Sequence, residues 1–397
     1  MQLIDSIVAE AATFRQIRRD IHAHPELCFE ETRTSDTIAQ QLQQWGIEVH
    51  RGLGRTGVVG IIDGRTPGPR SIGLRADIDA LPVTEKNTFD HASRHAGRMH
   101  ACGHDGHTAM LLAAARHLSR TRDFAGRVVC IFQPAEEGGG GAREMLRDGL
   151  FERFPVDAVF AMHNWPGIPA GKFALSSGPV MASSNEFRIV VRGKGAHAAM
   201  PHLGLDPVPV ACQIVLALQG VISRNKNPQE AGVVSVTMLQ AGEATNVIPD
   251  TVTLQGTVRT FTTALLDMIE ANMQRIATHT AQAAGMSCDF EFHRNYPPTV
   301  NHAAQTEFAR RVLADLVGED GVLAFEPSMG AEDFSYMLQQ RPGAYVIIGN
   351  GGGEHREPGH GAGPCTLHNA SYDFNDDILP LGASFWVHLV QRWLAQG

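Results

Sequence analysis

The sequence predicts an α/β protein in two domains, and three observations carry the prediction. Helix and strand patterns alternate from residue 4 to about 180, the order changes to strand, helix, strand, strand, helix, strand between 184 and 293, and alternation resumes from 294. At 397 residues the chain is also longer than one domain usually runs. The expected division is 1–183 with 294–397, interrupted by 184–293.

The elements follow in order. Asp36 to Trp45 reads as a helix stopped by Gly46, since glycine takes the left-handed backbone that ends helices. The apolar runs Val58–Ile62, Ser71–Leu74, Val128–Phe132 and Ala158–Met162 read as buried strands, with Asp105–Leu118 as a helix among them. The inserted stretch reads as strand Phe187–Val191, helix Asp206–Ser223, strands Val233–Leu239 and Thr251–Thr260, helix Ala264–Ala284 and strand Asp289–His293. This is the ferredoxin-like βαββαβ order, and Asp206 and Pro207 suit the N-cap and first turn of its first helix. Helices near 302–316 and 331–339, a strand at Tyr345–Ile348 and a helix near 377–394 complete the first domain.

Composition excludes several classes. With 43% hydrophobic and 19% charged residues the chain is neither disordered nor fibrous. A net charge of −9 with dispersed Lys and Arg argues against nucleic acid as a partner. The first 19 residues lack a signal-peptide core and no later stretch reads as a membrane span, so a cytoplasmic protein with no membrane partner is expected. Six scattered cysteines, at 28, 102, 130, 212, 288 and 365, fit reduced thiols.

The chemistry concentrates in short motifs that fall after strands, where open α/β sheets hold their ligands. His100-Ala101-Cys102-Gly103-His104-Asp105-Gly106-His107 packs a thiol, imidazoles and a carboxylate together; Asp105 suits a cap for the following helix. This density suggests a metal, with a core thiol and helix-capping histidines as the plainer alternative. Gln133-Pro134-Ala135-Glu136-Glu137-Gly138 thrusts two carboxylates into a glycine-rich loop, one suited to bind metal and the other to move a proton. Met162-His163-Asn164 and Leu367-His368-Asn369 each place a histidine at or near the end of an apolar run. Asp77 and Asp79 end a strand, where either could orient a ligand histidine. The inserted domain offers His197, Asn246 and Arg259, which could hold an oxyanion and a carboxylate.

These motifs, with Arg18–Glu26, Leu74–Val83, Gly195–His202, Asn246–Pro249 and Ser328–Phe334, resemble in order the hippurate hydrolase and indoleacetyl-amino-acid hydrolase branch of the aminoacylase and carboxypeptidase-G-like metallopeptidases. The resemblance implies a catalytic α/β domain of zinc-peptidase type, an inserted lid and dimerisation domain, and a homodimer formed through it. It implies metal ligands at Cys102, His104, Glu137, His163 and His368, with Glu136 as general base and His197 on the oxyanion. Cys102 stands where much of the wider family has a bridging aspartate, and Arg75 where it has a ligand histidine. Asn246 and Arg259 would bind the substrate carboxylate and Asp77 would support the ligands. The implied cofactors are two divalent ions, Zn or Mn, with Co or Ni as options, and the implied substrates are small N-acyl amino acids cut to a carboxylic acid and an amino acid. A thiol amidase using Cys102 as nucleophile and a non-catalytic binder of metal or amino acid are the competing readings. The glycine-rich stretch 349–366 is expected to be a mobile loop.

Overall fold

Apolar runs covered on both faces set the central sheet. The computed structural model describes residues 2–356 and 358–395, which divide into two units. The first holds 2–178, 300–326 and 333–395. Its eight-stranded sheet runs in the order Glu48–Leu53, Gly57–Asp63, Ala125–Gln133, Thr66–Asp77, Ala158–Pro166, Gly343–Gly351, Phe173–Ala174, Val322–Leu323. Thr66–Asp77 pairs in parallel with Ala125–Gln133 and Ala158–Pro166, and the latter with Gly343–Gly351. Register sets Asp77 opposite Gln133 and His163 opposite Ile347, so the carboxyl ends of these strands deliver the chemical residues to one edge.

The helix His104–Thr121 is buried on nearly every side and packs against the sheet and the last helix, Leu379–Leu394. Its start matters for the site, because Asp105 does not cap it as the sequence suggested. Gly103 occupies the N-cap, and the Asp105 carboxylate turns instead to the buried His22 and Arg18. The helix read from Asp36 begins earlier, spanning Thr32–Gln44, and the one read near 331 is confined to Ser335–Gln340. The helix Ala11–Ala23 and the strand Glu48–Leu53 were not legible. Ala11–Ala23 keeps Phe14, Ile17 and Ile21 at helical spacing but buries the polar Arg18 and His22 beside them, which masks the inner face in the sequence.

The second unit comprises Pro179–Thr299 with Pro327–Glu332 and contains the segment 184–293. Its four strands are ordered Gly232–Ala241, Thr251–Thr260, Ser184–Arg192, Ser287–Tyr296, all neighbours antiparallel. The helices Pro207–Gly220 and Thr263–Ala283 pack on this sheet, the first capped by Asp206 accepting from Val208 N at 3.0 Å. Together these make the expected βαββαβ arrangement. The helical stretch Pro207–Asn225 is long and apolar enough, by length and composition, to cross a membrane, contrary to the sequence expectation. Its Val210, Ile214, Leu218 and Val221 belong to the core of this unit, which accounts for the apolar composition of that flank.

Candidate metal centre

The turn at Gly103 aims two side chains at one point. Its φ of +89° suits glycine, and a Cβ there would lie 2.3 Å from the Asn164 amide and 2.4 Å from the Tyr372 hydroxyl. Cys102, which is buried, then stands with its Sγ 3.3 Å from Nε2 of His163. His104 and His163 are held alike. Nδ1 of His104 donates to the Asp79 carbonyl at 2.9 Å, with an Asp79 carboxylate oxygen at 3.2 Å, and Nδ1 of His163 donates to the Asn164 carbonyl at 2.6 Å. With Nδ1 so engaged, each ring leaves Nε2 as the nitrogen available to a metal.

The two glutamates arrive on a strained loop. Ala135 has φ +53°, a left-handed conformation that a non-glycine residue keeps only when its surroundings enforce it. Glu137 N donates to Asp79 at 2.9 Å, and Glu137 Oε1 lies 3.9 Å from Nε2 of His104 and 3.2 Å from Nε2 of His368. His368, also left-handed at φ +62°, is tied to the Cys102 segment by its N–H on Ala101 O at 2.8 Å. Glu136 is 7% exposed and accepts the Asp333 N–H at 3.3 Å. The structure thus brings Cys102, His104, Glu137, His163 and His368 into one cluster, with Glu136 on the same loop.

This donor set fits a divalent metal. Nε2 of His104 is buried without a hydrogen bond among the described residues, and ligand atoms of Cys102, His104 and Glu137 lie within 4.8 Å of one another. Burial, then the charges of Glu137, Glu136 and Asp77, push the Cys102 thiol well above its ordinary range. A cation would reverse that balance and favour the thiolate. Burial disfavours protonation of His104, yet Asp77, Asp79 and Glu137 outweigh it and raise the ring to about 10, which registers the excess of negative charge at the site. A second grouping, Asp77, His104, His107 and His163, is equally tight, but His107 has both nitrogens engaged. Its Nδ1 donates to Asp77 at 2.6 Å and its Nε2 accepts the Asn164 N–H at 2.9 Å, so it serves as a support.

Residues 73–392 match the model of peptidase family M20/M25/M40. The chain belongs to this family. It is 38% identical to the hippurate hydrolase of Campylobacter jejuni over 395 residues, covering 99% of this chain and 100% of that one. It is 40% identical to the N-acetyl-L-cysteine deacetylase of Bacillus subtilis, covering 85% and 80%. A crystal structure of a dinuclear metal-binding M20 peptidase from Bacillus subtilis superposes with a TM-score of 0.83 at 34% identity, covering 98% and 99%.

Two features of this M20-family chain escaped the sequence reading. Arg75 is locked in a buried network: it donates to Asp77 at 2.8 Å, to Gln133 at 2.8 Å and to Asp333 at 3.1 Å. Asp333 also accepts from Ala142 N, so this network braces the glutamate loop while its backbone N–H holds Glu136. Asn164 is a second hub. Its amide donates to Cys102 O at 2.7 Å and accepts from Tyr372 Oη at 2.7 Å. Adjacency to His163 in sequence was the only available signal.

Other expected residues lie in the second unit. His197 sits in a two-residue strand opposite Val247, and its Nδ1 accepts the Ala199 N–H at 3.1 Å, which puts the proton of the neutral ring on Nε2. Asn246 is exposed, its carbonyl accepting from Ala198 N. Arg259 is half-buried in Thr251–Thr260, and its guanidinium makes no hydrogen bond or ion pair among the described residues. The stretch 349–366 has more anchors than a mobile loop needs. His360 meets the Asp373 carboxylate at 3.1 Å, His355 the Asp373 carbonyl at 3.2 Å, and Gly361 N the Asn87 side chain at 2.8 Å.

Proposed function

We propose that this chain hydrolyses the amide bond of N-acyl amino acids, releasing a carboxylic acid and a free amino acid, with two divalent ions held by Cys102, His104, Glu137, His163 and His368. The observation that carries the reading is the convergence of these donors beside a further buried carboxylate, Glu136. When bound, the ions supply Lewis acidity toward the scissile carbonyl. Glu136 takes the proton of the attacking water and returns it to the departing amine, its carboxylate held by the Asp333 N–H. His197 donates its Nε2–H to the oxyanion, and Arg259 with Asn246 binds the substrate carboxylate. The relatives named hippurate hydrolase and N-acetyl-L-cysteine deacetylase support this substrate class.

The 3.3 Å contact between Cys102 and His163 favours a second reading, a thiol nucleophile with an imidazole base. Against it, the thiol is buried and held protonated by its surroundings. Chelation followed by assay on N-benzoyl, N-acetyl and indoleacetyl amino acids separates the two. The metal reading expects activity to vanish and to return with Zn²⁺, Mn²⁺, Co²⁺ or Ni²⁺. Activity in metal-free protein with a trapped acyl-thioester would establish the thiol instead.

The same reading includes a homodimer through the second unit. Its edge strand Gly232–Ala241 carries no charge and exposes Met238 and Leu239, whereas the opposite edge, Ser287–Tyr296, carries Asp289, Glu291, His293 and Arg294. An uncharged edge is the one open to pairing. All six cysteines are free, which suits a cytoplasmic location.

A further inference from the structure

The peptide N–H groups on either side of Glu136 each end on a buried carboxylate. Glu137 N is held by Asp79 at 2.9 Å, and Ala135 N by Oε1 of Glu31 at 2.9 Å. Glu31 is 0% exposed, and its other oxygen accepts the Thr56 hydroxyl at 2.6 Å. It belongs to a short segment that grips the loop again nearby. Cys28 donates its thiol to Glu137 O at 3.1 Å, and the Phe29 ring lies so close to Gly139 that a Cβ there would come within 3.0 Å. Glu31 touches none of the five candidate ligands, and the mechanism above makes no use of it.

We propose that Glu31 is a positioning residue, which fixes the left-handed turn at Ala135 and through it the placement of the Glu136 carboxylate. The inference rests on the assignment of Glu136 as the base. Ala135 at φ +53° has an alternative: relaxing to the ordinary helical or extended region would swing the next residue away. Within its own loop, Ala135 O accepts Gly141 N at 3.1 Å and Glu136 O accepts Gly138 N at 2.8 Å. These bonds close the turn but leave the Ala135 N–H to Glu31. A buried donor must be satisfied, so removing the acceptor favours rearrangement of the turn. Misplacement of a catalytic group by about 1 Å is enough to cost up to ~100-fold in rate.

The test uses Glu31→Ala and Glu31→Gln in the full chain with metal content matched to wild type. Glutamine keeps one oxygen for Ala135 N and lets the Thr56 hydroxyl reverse its role. Glu31→Ala is expected to lower kcat by about 30-fold with KM within about threefold, and Glu31→Gln to restore kcat to within about threefold of wild type. A purely structural role would instead lower the melting temperature and the active fraction together, leaving kcat per active site unchanged. The proposal is overturned if folded, metal-loaded Glu31→Ala keeps wild-type kcat, or if Glu31→Gln loses as much as Glu31→Ala. Should Glu31→Ala fail to fold, Thr56→Val frees one oxygen of Glu31 and is expected to lower kcat in the same direction, by about 3-fold or more. An unchanged kcat there overturns the proposal as well. Glu136→Gln, assayed alongside, separates the two ideas. If it retains activity, the base assignment fails; if it is inactive while Glu31→Ala is not, only the positioning role fails.

Discussion

Asp79 and Glu137 are joined by a hydrogen bond from the Glu137 N–H to Oδ2 of Asp79 at 2.9 Å, while the other oxygen of the same carboxylate stands 3.2 Å from Nδ1 of His104. One side chain thus sets the orientation of a ring on a helix and the height of a loop after a strand. Asp77, by contrast, bonds to His107 and reaches only to 3.6 Å from Nε2 of His104. Groups that orient ligands typically affect metal affinity by about 10- to 100-fold. Asp79→Ala is therefore expected to weaken metal binding by about that factor although it removes no proposed ligand. Competition with a chromophoric chelator measures it, and an unchanged affinity would count against the role.

The candidate ligands were legible because each is attached to a local signal: glycines around Cys102 and His104, paired glutamates after an apolar strand, and histidines at or near the ends of apolar runs. Their supports were not. Asn164, Asp333 and Glu31 act through backbone groups distant in the chain, and polar residues of this kind look like ordinary turn or cap residues until the fold buries them. The buried inner strands of the central sheet were recognised by composition, while its edge strand Glu48–Leu53 and the helix Ala11–Ala23 were missed. A covered apolar strand shows itself by composition alone, whereas a helix whose inner face holds Arg18 and His22 does not.

The adjacent glutamates make separable predictions. Glu136→Gln should lower kcat by several orders of magnitude while metal stoichiometry remains near that of the wild type, and Glu137→Gln should lose metal. Elemental analysis and steady-state kinetics on both variants decide it. Metal loss in the first with retention in the second would exchange the two roles.

His22 makes stability depend on pH. It is fully buried between Asp105, at 2.9 Å, and Glu85, at 3.2 Å. Burial alone would lower its pKa, but the two carboxylates raise it from 6.5 to about 10. Arg18 shares Asp105 with it, and the His91 and His100 rings lie alongside. Because the folded value exceeds the unfolded one, the native state binds the proton more tightly. The stabilisation is fully present below pH 6.5 and is lost as pH rises through 10. Urea midpoints should therefore separate wild type from His22→Gln most widely near pH 6 and least near pH 10. A gap that stays constant or widens with pH would show that His22 is folded in neutral.

The last prediction concerns the substrate carboxylate. The Arg259 guanidinium is half-buried without a hydrogen bond or ion pair among the described residues, and burial lowers its pKa against the opposing charge of Glu186. A guanidinium left so is short of the anion it would ordinarily hold, and its planar fork can make two charge-assisted bonds to a carboxylate that lysine cannot reproduce. If that anion is the α-carboxylate of the substrate, binding it should favour the reactive arrangement and contribute to rate as well as affinity. Esterifying or amidating that group should then reduce kcat/KM by at least ~100-fold, about 2.7 kcal/mol of transition-state stabilisation. Arg259→Lys should lose much of the discrimination between acid and ester while retaining the charge. Kinetics on matched acid, ester and amide substrates provide the check. Equal hydrolysis of neutral N-acyl amides and free acids by the wild type would remove Arg259 from the site and make the enzyme a general amidase.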